Sequence, residues 1–198
     1  MPGHSPAPVT HPDTPAGRLT LVVAPTRWLA GFEARLLMDA VAAGKDAFLV
    51  SGDNRIDAYG LLAQARARGL ETEMADGVRL ARGFTVHQLV AILEDTLPRF
   101  AKESALGVVL CAGLLEMFLD EDVPAAESRV LFRRSVRKLR GWAATMPFPV
   151  VATVGAARGE RADLFLKDAF EALGEAAPWA PPRSVSKREP AQSVLAVG

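Results

Sequence analysis

The sequence predicts an α/β domain: a mainly parallel central sheet with helices on both faces. Three observations predict it. Short apolar runs alternate with helical patterns along most of the chain, the rhythm of strand–helix–strand units. One run, Gly107-Val-Val-Leu-Cys111, is continuously apolar, as a central strand buried on both faces should be. At 198 residues, with 49% hydrophobic and 23% charged side chains, the chain can bury a sizeable core in a single domain.

Taken in order, Met1 to Gly17 is rich in Pro, Ser, Thr and Ala and reads as a disordered tail. The domain is expected over residues 18–174. Leu19-Thr-Leu-Val-Val23 is the first strand, followed by a turn through Ala24 to Gly31 and a helix with Phe32, Leu36, Leu37, Ala40 and Val41 facing inward. Ala47-Phe-Leu-Val50 is the second strand, Ser51-Gly-Asp-Asn54 a turn, and Asp57 to Arg68 a helix stopped by Gly69. Gly77 to Ala81 is a short third strand. Thr85 can cap the next helix, in which Leu89, Ile92, Leu93 and Leu97 share a face. After the fourth strand, Gly107 to Cys111, comes a helix over about Ala125 to Ala144 with Phe132, Val136, Leu139 and Ala143 on its core side. Pro149 to Thr153 is the fifth strand and Ala162 to Leu173 the last helix. Residues 175–198 read as a proline-bearing linker and tail, in which Ser193 to Val197 can return as an edge strand.

Whole-chain numbers set outer bounds on function. Formal net charge is zero, so no global field favours nucleic acid or an anionic membrane. The single cysteine, Cys111, sits in an apolar run and reads as a buried thiol; it cannot form an intrachain disulfide framework or a cysteine-built metal site. No apolar stretch approaches the ~18 residues that span a bilayer. The start of the chain lacks the basic segment and apolar core of a signal peptide. The expected compartment is the cytoplasm, with no membrane partner.

The segment Leu19 to Ala43 carries the most information. Its strand, turn and helix have the layout of a phosphate-binding loop. Such a loop needs glycines so that backbone N–H groups can wrap phosphates, a lysine to reach the outer phosphates and a Ser/Thr hydroxyl for magnesium. Here the turn reads Ala24-Pro25-Thr26-Arg27-Trp28-Leu29-Ala30-Gly31. The lysine place falls on Leu29 or Ala30, Arg27 and Trp28 stand where glycines would, and no lysine occurs between Arg18 and Gly44.

In order along the chain, the segments resemble the ATPase core of the RecA family, closest to its archaeal and eukaryotic recombinase branch. Val78-Arg-Leu-Ala-Arg-Gly-Phe-Thr-Val-His-Gln88 resembles that branch's strand-to-helix segment, with an arginine, an aromatic and a His-Gln pair at matching spacing. Phe48 to Tyr59, running on to Ala65-Arg-Ala-Arg-Gly-Leu70, is similar to the second strand and the helix after it. Val108 to Phe118 is similar to the strand that ends in a magnesium-holding aspartate. Glu127 to Trp142 and Val150 to Thr153 are similar to the next helix and to the strand that ends in a polar sensor. The resemblance covers about Leu19 to Thr153 and implies a RecA-like, P-loop-type fold.

The departures from that family are as informative as the matches. Cys111 and Ala112 stand where a carboxylate would hold magnesium, and neither binds a hard cation. The resemblance places a water-orienting acid just after the second strand, where Asp53 and Asn54 read as a polar turn; Thr153 is a second polar remnant. Without the lysine or the metal, charge on a transferring phosphoryl group is left unstabilised. ATP, magnesium and any other cofactor are therefore not expected, and Trp28 and Leu29 are expected to fill the vacated cavity. Of the two regions that bind single-stranded DNA in the family, the first, Phe118 to Glu127, has four carboxylates and no base. The second carries Arg158 and Arg161, able to grip a phosphate or to sit in a solvated loop.

The strongest basic feature lies on the helix after the acidic loop. Arg129, Arg133, Arg137 and Arg140 recur at intervals of four, four and three, with Arg134 and Lys138 adjoining. The ridge is either a solvated face paired with nearby acids or a contact for phosphate or an acidic partner. His87, alone outside the tail, reads as structural. The expectation is a RecA-like domain without ATPase chemistry, not an enzyme, acting as an accessory or scaffold in DNA recombination or repair. Its partner would be a protein such as an active recombinase or a polymerase, with homo-oligomers open and DNA contact weak. The alternatives are a nucleotide-independent DNA-binding module using the basic helix, and an unorthodox ATPase in which Asp53, Glu116 or Asp120 serves magnesium.

Overall fold

The computed structural model of the chain describes residues 13–52, 58–70, 77–156, 159–173, 176–179 and 194–197. Most of the tail and the polar turn at Asp53 and Asn54 lie outside the described residues, as does Arg158. Five parallel strands form the heart of the fold: β1 (Leu19–Ala24), β2 (Asp46–Ser51), β3 (Val78–Arg82), β4 (Leu106–Ala112) and β5 (Val150–Gly155). Two further strands, β6 (Ala176–Trp179) and β7 (Val194–Val197), complete a seven-stranded sheet of order β3-β2-β4-β5-β1-β7-β6. β7 pairs antiparallel with β1, and β6 antiparallel with β7.

Burial explains why the inner strands are apolar without alternation. Every residue of β5 is buried, as is all of β2 after Asp46. Side chains of one parity, Val22, Leu49, Val108, Leu110 and Val151, pack beneath α1 (Thr26–Ala42) and α2 (Ala58–Ala67). Those of the other parity, Leu21, Phe48, Val50, Val109, Cys111 and Ala152, meet a second layer of helices. That layer is α3 (Val86–Ala91), continuing through a π-helical turn (Ile92–Thr96) into α4 (Leu97–Glu103), then α5 (Ala125–Ala143) and α6 (Glu160–Leu173). Phe132 of α5 sits between Phe118 and Phe165 in edge-to-face contacts, with ring centroids 5.1 and 5.2 Å away.

Local signals place the helix starts. The Thr85 hydroxyl accepts the Gln88 N–H at 3.2 Å, and the Gln88 side chain accepts the Phe84 N–H at 2.8 Å, a variant of the capping box in which the return bond falls one residue before the N-cap. The π turn immediately precedes Pro98, whose ring would otherwise meet the carbonyl of residue 94 and which has no N–H to donate.

Two expectations are corrected. The stretch Ala24 to Gly31 is not a turn: β1 ends at Ala24, Pro25 is the N-cap, and α1 begins at Thr26. The proline's fixed φ, here −57°, suits a strand that passes directly into a helix. In the stretch 175–198, β7 lies where a returning strand is expected, and β6 occupies backbone expected to be linker. β7 is not an edge strand, since it lies between β1 and β6. Extended backbone there satisfies the side of β1 that β5 leaves open.

Cys111 is 1% exposed, and burial pushes its thiol up to about 12. The folded chain should resist alkylation by iodoacetamide at mildly alkaline pH and react fully once denatured, which mass spectrometry of the two samples would check.

Candidate functional site

In open α/β sheets, ligands bind beyond the carboxyl ends of the strands. The order β4-β5-β1 makes neighbours of the three strand ends that carry the remnant residues. Contacts there tie the ends to one another. The Gly113 N–H donates to the Thr153 hydroxyl at 3.2 Å and the Leu114 N–H to the Thr153 carbonyl at 2.9 Å. The Ala156 N–H donates to the Ala24 carbonyl at 2.9 Å. Gly52, just past β2, comes so close to Gly113 that a Cβ would lie 2.6 Å from its carbonyl oxygen, so this approach admits only glycine.

Two carboxylates occupy the α1 side of this edge. Glu33 projects from the second turn of α1 and accepts a short hydrogen bond from the Thr153 hydroxyl. Glu116, on the short helical turn Glu116–Leu119 after β4, accepts the Gly155 N–H at 2.9 Å. A Cβ on Gly155 would stand 2.7 Å from Glu116 Oε1 and 3.4 Å from the Thr26 hydroxyl. Gly155 therefore leaves room for the Glu116 carboxylate in the neighbourhood of Thr26, the first residue of α1. A negative group at a helix N-terminus is favoured by the exposed N–H groups and the helix dipole, the features that attract phosphate elsewhere. Here the anion is part of the chain.

The remaining strand-end residues offer little to a polyphosphate. Thr153 is fully buried, with its hydroxyl engaged as acceptor and as donor. Ala112 is buried beneath α1, and Cys111 points to the opposite face. Leu29 is 4% exposed in the α1 core, and Trp28 stacks on Phe32 with centroids 5.3 Å apart. Arg27 and Gly31 are exposed, and Ala30 is half-buried. Among the described residues, those at this edge do not suit a magnesium–nucleotide complex. Only Pro25 separates β1 from α1, no lysine lies at the described strand ends, and two carboxylates, Glu33 and Glu116, are bonded there. Among the described residues, no group of three or more His, Cys, Asp or Glu side chains could hold a metal ion. Asp120 accepts the Asp122 N–H at 3.0 Å in a local turn.

Sequence reasoning missed Glu33 and weighed Glu116 only as a magnesium ligand. Glu33 had a signal, since it lies seven residues after Thr26 and so on nearly the same side of α1. Nothing in the sequence showed that Glu116 would reach across to Gly155.

The basic ridge on α5 is divided by its neighbours. Arg129 chelates Asp168 of α6, with the Nη2 contact at 2.8 Å, and Arg133 donates to the same carboxylate at 2.7 Å. On the other flank, Arg134 grips Glu94 of the π turn, Nε to Oε1 at 2.6 Å. Arg161 donates to the carbonyls of Phe118, Asp120 and Val123 at 3.1, 3.1 and 3.4 Å, so it braces the acidic loop. Arg140 is exposed. Arg137 and Lys138 are also exposed and have no ion pair or hydrogen bond among the described residues. They line a groove of about 520 Å³ with Glu94, Val130 and Arg134. This groove shares no residue with the strand-end edge. His87 is exposed and faces Glu127 at 3.4 Å.

Asp168 is 1% exposed, and the hydrogen bond from Arg129 holds its carboxyl below the ordinary 3.8, against the opposing effect of burial. Asp168→Asn should destabilise the fold by about 2 kcal/mol at neutral pH, a modest value because both guanidinium groups keep part of their surface in water. A carboxyl whose folded pKa is lowered contributes in full above its unfolded value, and the contribution fades as pH falls through the folded one. Urea midpoints of the two proteins should therefore converge below about pH 4.

Among the described residues, no helix is long and apolar enough to cross a membrane. No protein-family model matches the chain, and no curated protein matches it in sequence.

Proposed function

We propose that this chain is a RecA-like domain that has lost phosphoryl-transfer chemistry and acts through protein–protein contacts, as an accessory or scaffold factor in DNA recombination or repair. The process comes from the sequence resemblance alone. The loss of chemistry has a physical basis in the strand-end edge, and one observation carries it. The Glu116 carboxylate accepts the Gly155 N–H in the neighbourhood of Thr26, where β1 enters α1 through a single residue, Pro25.

A phosphate chain brought to this edge would meet Glu33 and Glu116, without lysine or metal to offset the repulsion. Displacing Glu116 would also leave the Gly155 N–H needing a new partner. The adjacency of β4, β5 and β1 agrees with the RecA-like reading, in which those three ends build the nucleotide site. A core of this kind keeps its shape and its surfaces while its chemistry is silent. The division of the α5 ridge into internal ion pairs favours protein contacts over a phosphate-tracking stripe, since Arg129, Arg133 and Arg134 are already neutralised.

The test is a thermal-shift and calorimetric titration with ATP and ADP, with and without magnesium, paired with a binding assay against a purified intact recombinase and a translesion-type polymerase. Ligand that binds the native state must raise its melting temperature. The expected result is no shift at about 1 mM nucleotide, where any Kd below ~0.1 mM would add over 1 kcal/mol, together with saturable binding to one of the two proteins. A magnesium-dependent shift would overturn the loss of nucleotide binding, and failure to bind either protein would overturn the assignment of partners.

A further inference from the structure

We propose that the open face of α5 is a self-association surface, on which a second copy of the chain packs its own α5 antiparallel about a two-fold axis passing near Val130. The inference is independent of the reading of the strand-end edge. Three features of the helix carry it.

The first is an unpartnered apolar residue at the middle of an otherwise charged face. Val130 is 66% exposed, beside the groove that Arg134, Arg137 and Lys138 line. Gly141 follows on the same side, about one turn beyond Arg137, and a Cβ there would meet nothing within 4 Å. Glycine inside an exposed helix costs about 1 kcal/mol relative to alanine, and it lets a neighbouring backbone come close.

The second is the sorting of free charge along the helix. Within α5, the bases without internal partners are Arg137 and Lys138, in its C-terminal half. At its other end, the exposed loop before Pro124 carries Glu121 and Asp122, whose carboxylates are likewise without partners among the described residues. The other charges nearby are spoken for: Arg129 and Arg133 by Asp168, Arg134 by Glu94, and Glu127 by His87.

The third is the spacing. Arg137 and Lys138 lie seven and eight residues beyond Val130, about 10–12 Å along α5, and the turn that carries Glu121 and Asp122 precedes the helix at its other end. An antiparallel copy centred on Val130 therefore sets Arg137 and Lys138 of each chain opposite Glu121 and Asp122 of the other, twice, with the two Val130 side chains meeting at the axis. This is an isologous contact, in which one patch serves both partners. A parallel arrangement would place like charges together and is disfavoured. Arg134 comes nearest the axis among the bases, and its pairing with Glu94 removes the repulsion that two such residues would otherwise bring.

One valine and four ion pairs make a small, polar contact, at the low end of interface sizes. Dimerisation should be weak, with Kd of order 100 µM, and should fall steeply with salt. Sedimentation velocity of the full chain, from about 5 to about 300 µM, gives the readout. At low salt the wild-type sedimentation coefficient should rise toward a dimer with concentration, and at ~0.5 M NaCl it should remain that of a monomer. Arg137→Glu with Lys138→Glu should abolish dimerisation, as should Glu121→Lys with Asp122→Lys. An equimolar mixture of these two variants should recover it, because each acidic patch then faces a basic one. All four residues are exposed, so circular dichroism should show both variants folded. A wild-type chain that stays monomeric throughout overturns the proposal. So does a dimer indifferent to charge reversal, or a mixture that stays monomeric.

Discussion

The constraint on which the rest of this structure depends is the covering of a parallel sheet on both faces. β4 and β5 sit inside the sheet, and their side chains of both parities are withdrawn from water. Parallel strands need crossovers, and the crossovers here are the helices that cover them. α1 and α2 take one face, while the α3–α4 rod, α5 and α6 take the other. Once those helices are seated, the carboxyl ends of β1, β4 and β5 are brought side by side. Whatever lies on the short connections after those strands must then share one small space.

In that space the chain is its own ligand. Thr153 is held between the Gly113 N–H and Glu33, and the Gly155 N–H is taken by Glu116. The Thr153 hydroxyl and the Gly113 and Gly155 N–H groups are thus satisfied by other parts of the same fold, as burial requires. Direct entry of β1 into α1 removes the concavity in which backbone amides elsewhere surround phosphate. At these strand ends charge and shape both work against a polyphosphate.

Electrostatics also organises the helical layer. Asp168 is nearly inaccessible, and a carboxylate there would be costly without two guanidinium groups to hold it. Arg129 and Arg133 bind α5 to α6, and Arg134 binds α5 to the π turn. α5 is thus fastened on both flanks. Its remaining free charge is concentrated on the side that faces solvent, where it is available for contact with another molecule.

The capping box at Thr85 and Gln88 and the core side of α5 were legible locally, because each depends on residues three or four apart in one helix. The lack of phosphate-binding residues in the first strand–helix unit was equally plain, since a missing lysine is a fact of composition. The arginine ridge was legible as a spacing and misleading as a surface. Its residues recur at intervals that put them on one side of a helix, yet Asp168 and Glu94, which claim half of it, lie 39 and 40 residues away. The strand at 176–179 was read as linker and that at 194–197 as an edge strand, because proline-bearing extended backbone finds its place in a sheet only when an unpaired neighbour such as β1 is present. By itself, the sequence determined the class of fold, the order of its elements and the lack of phosphate-binding residues in the first strand–helix unit, all of which follow from periodicity and residue type. The tertiary structure alone decided which carboxylates meet at the strand ends and which bases stay free, because those outcomes depend on contacts between residues far apart in the chain, and periodicity carries no record of them.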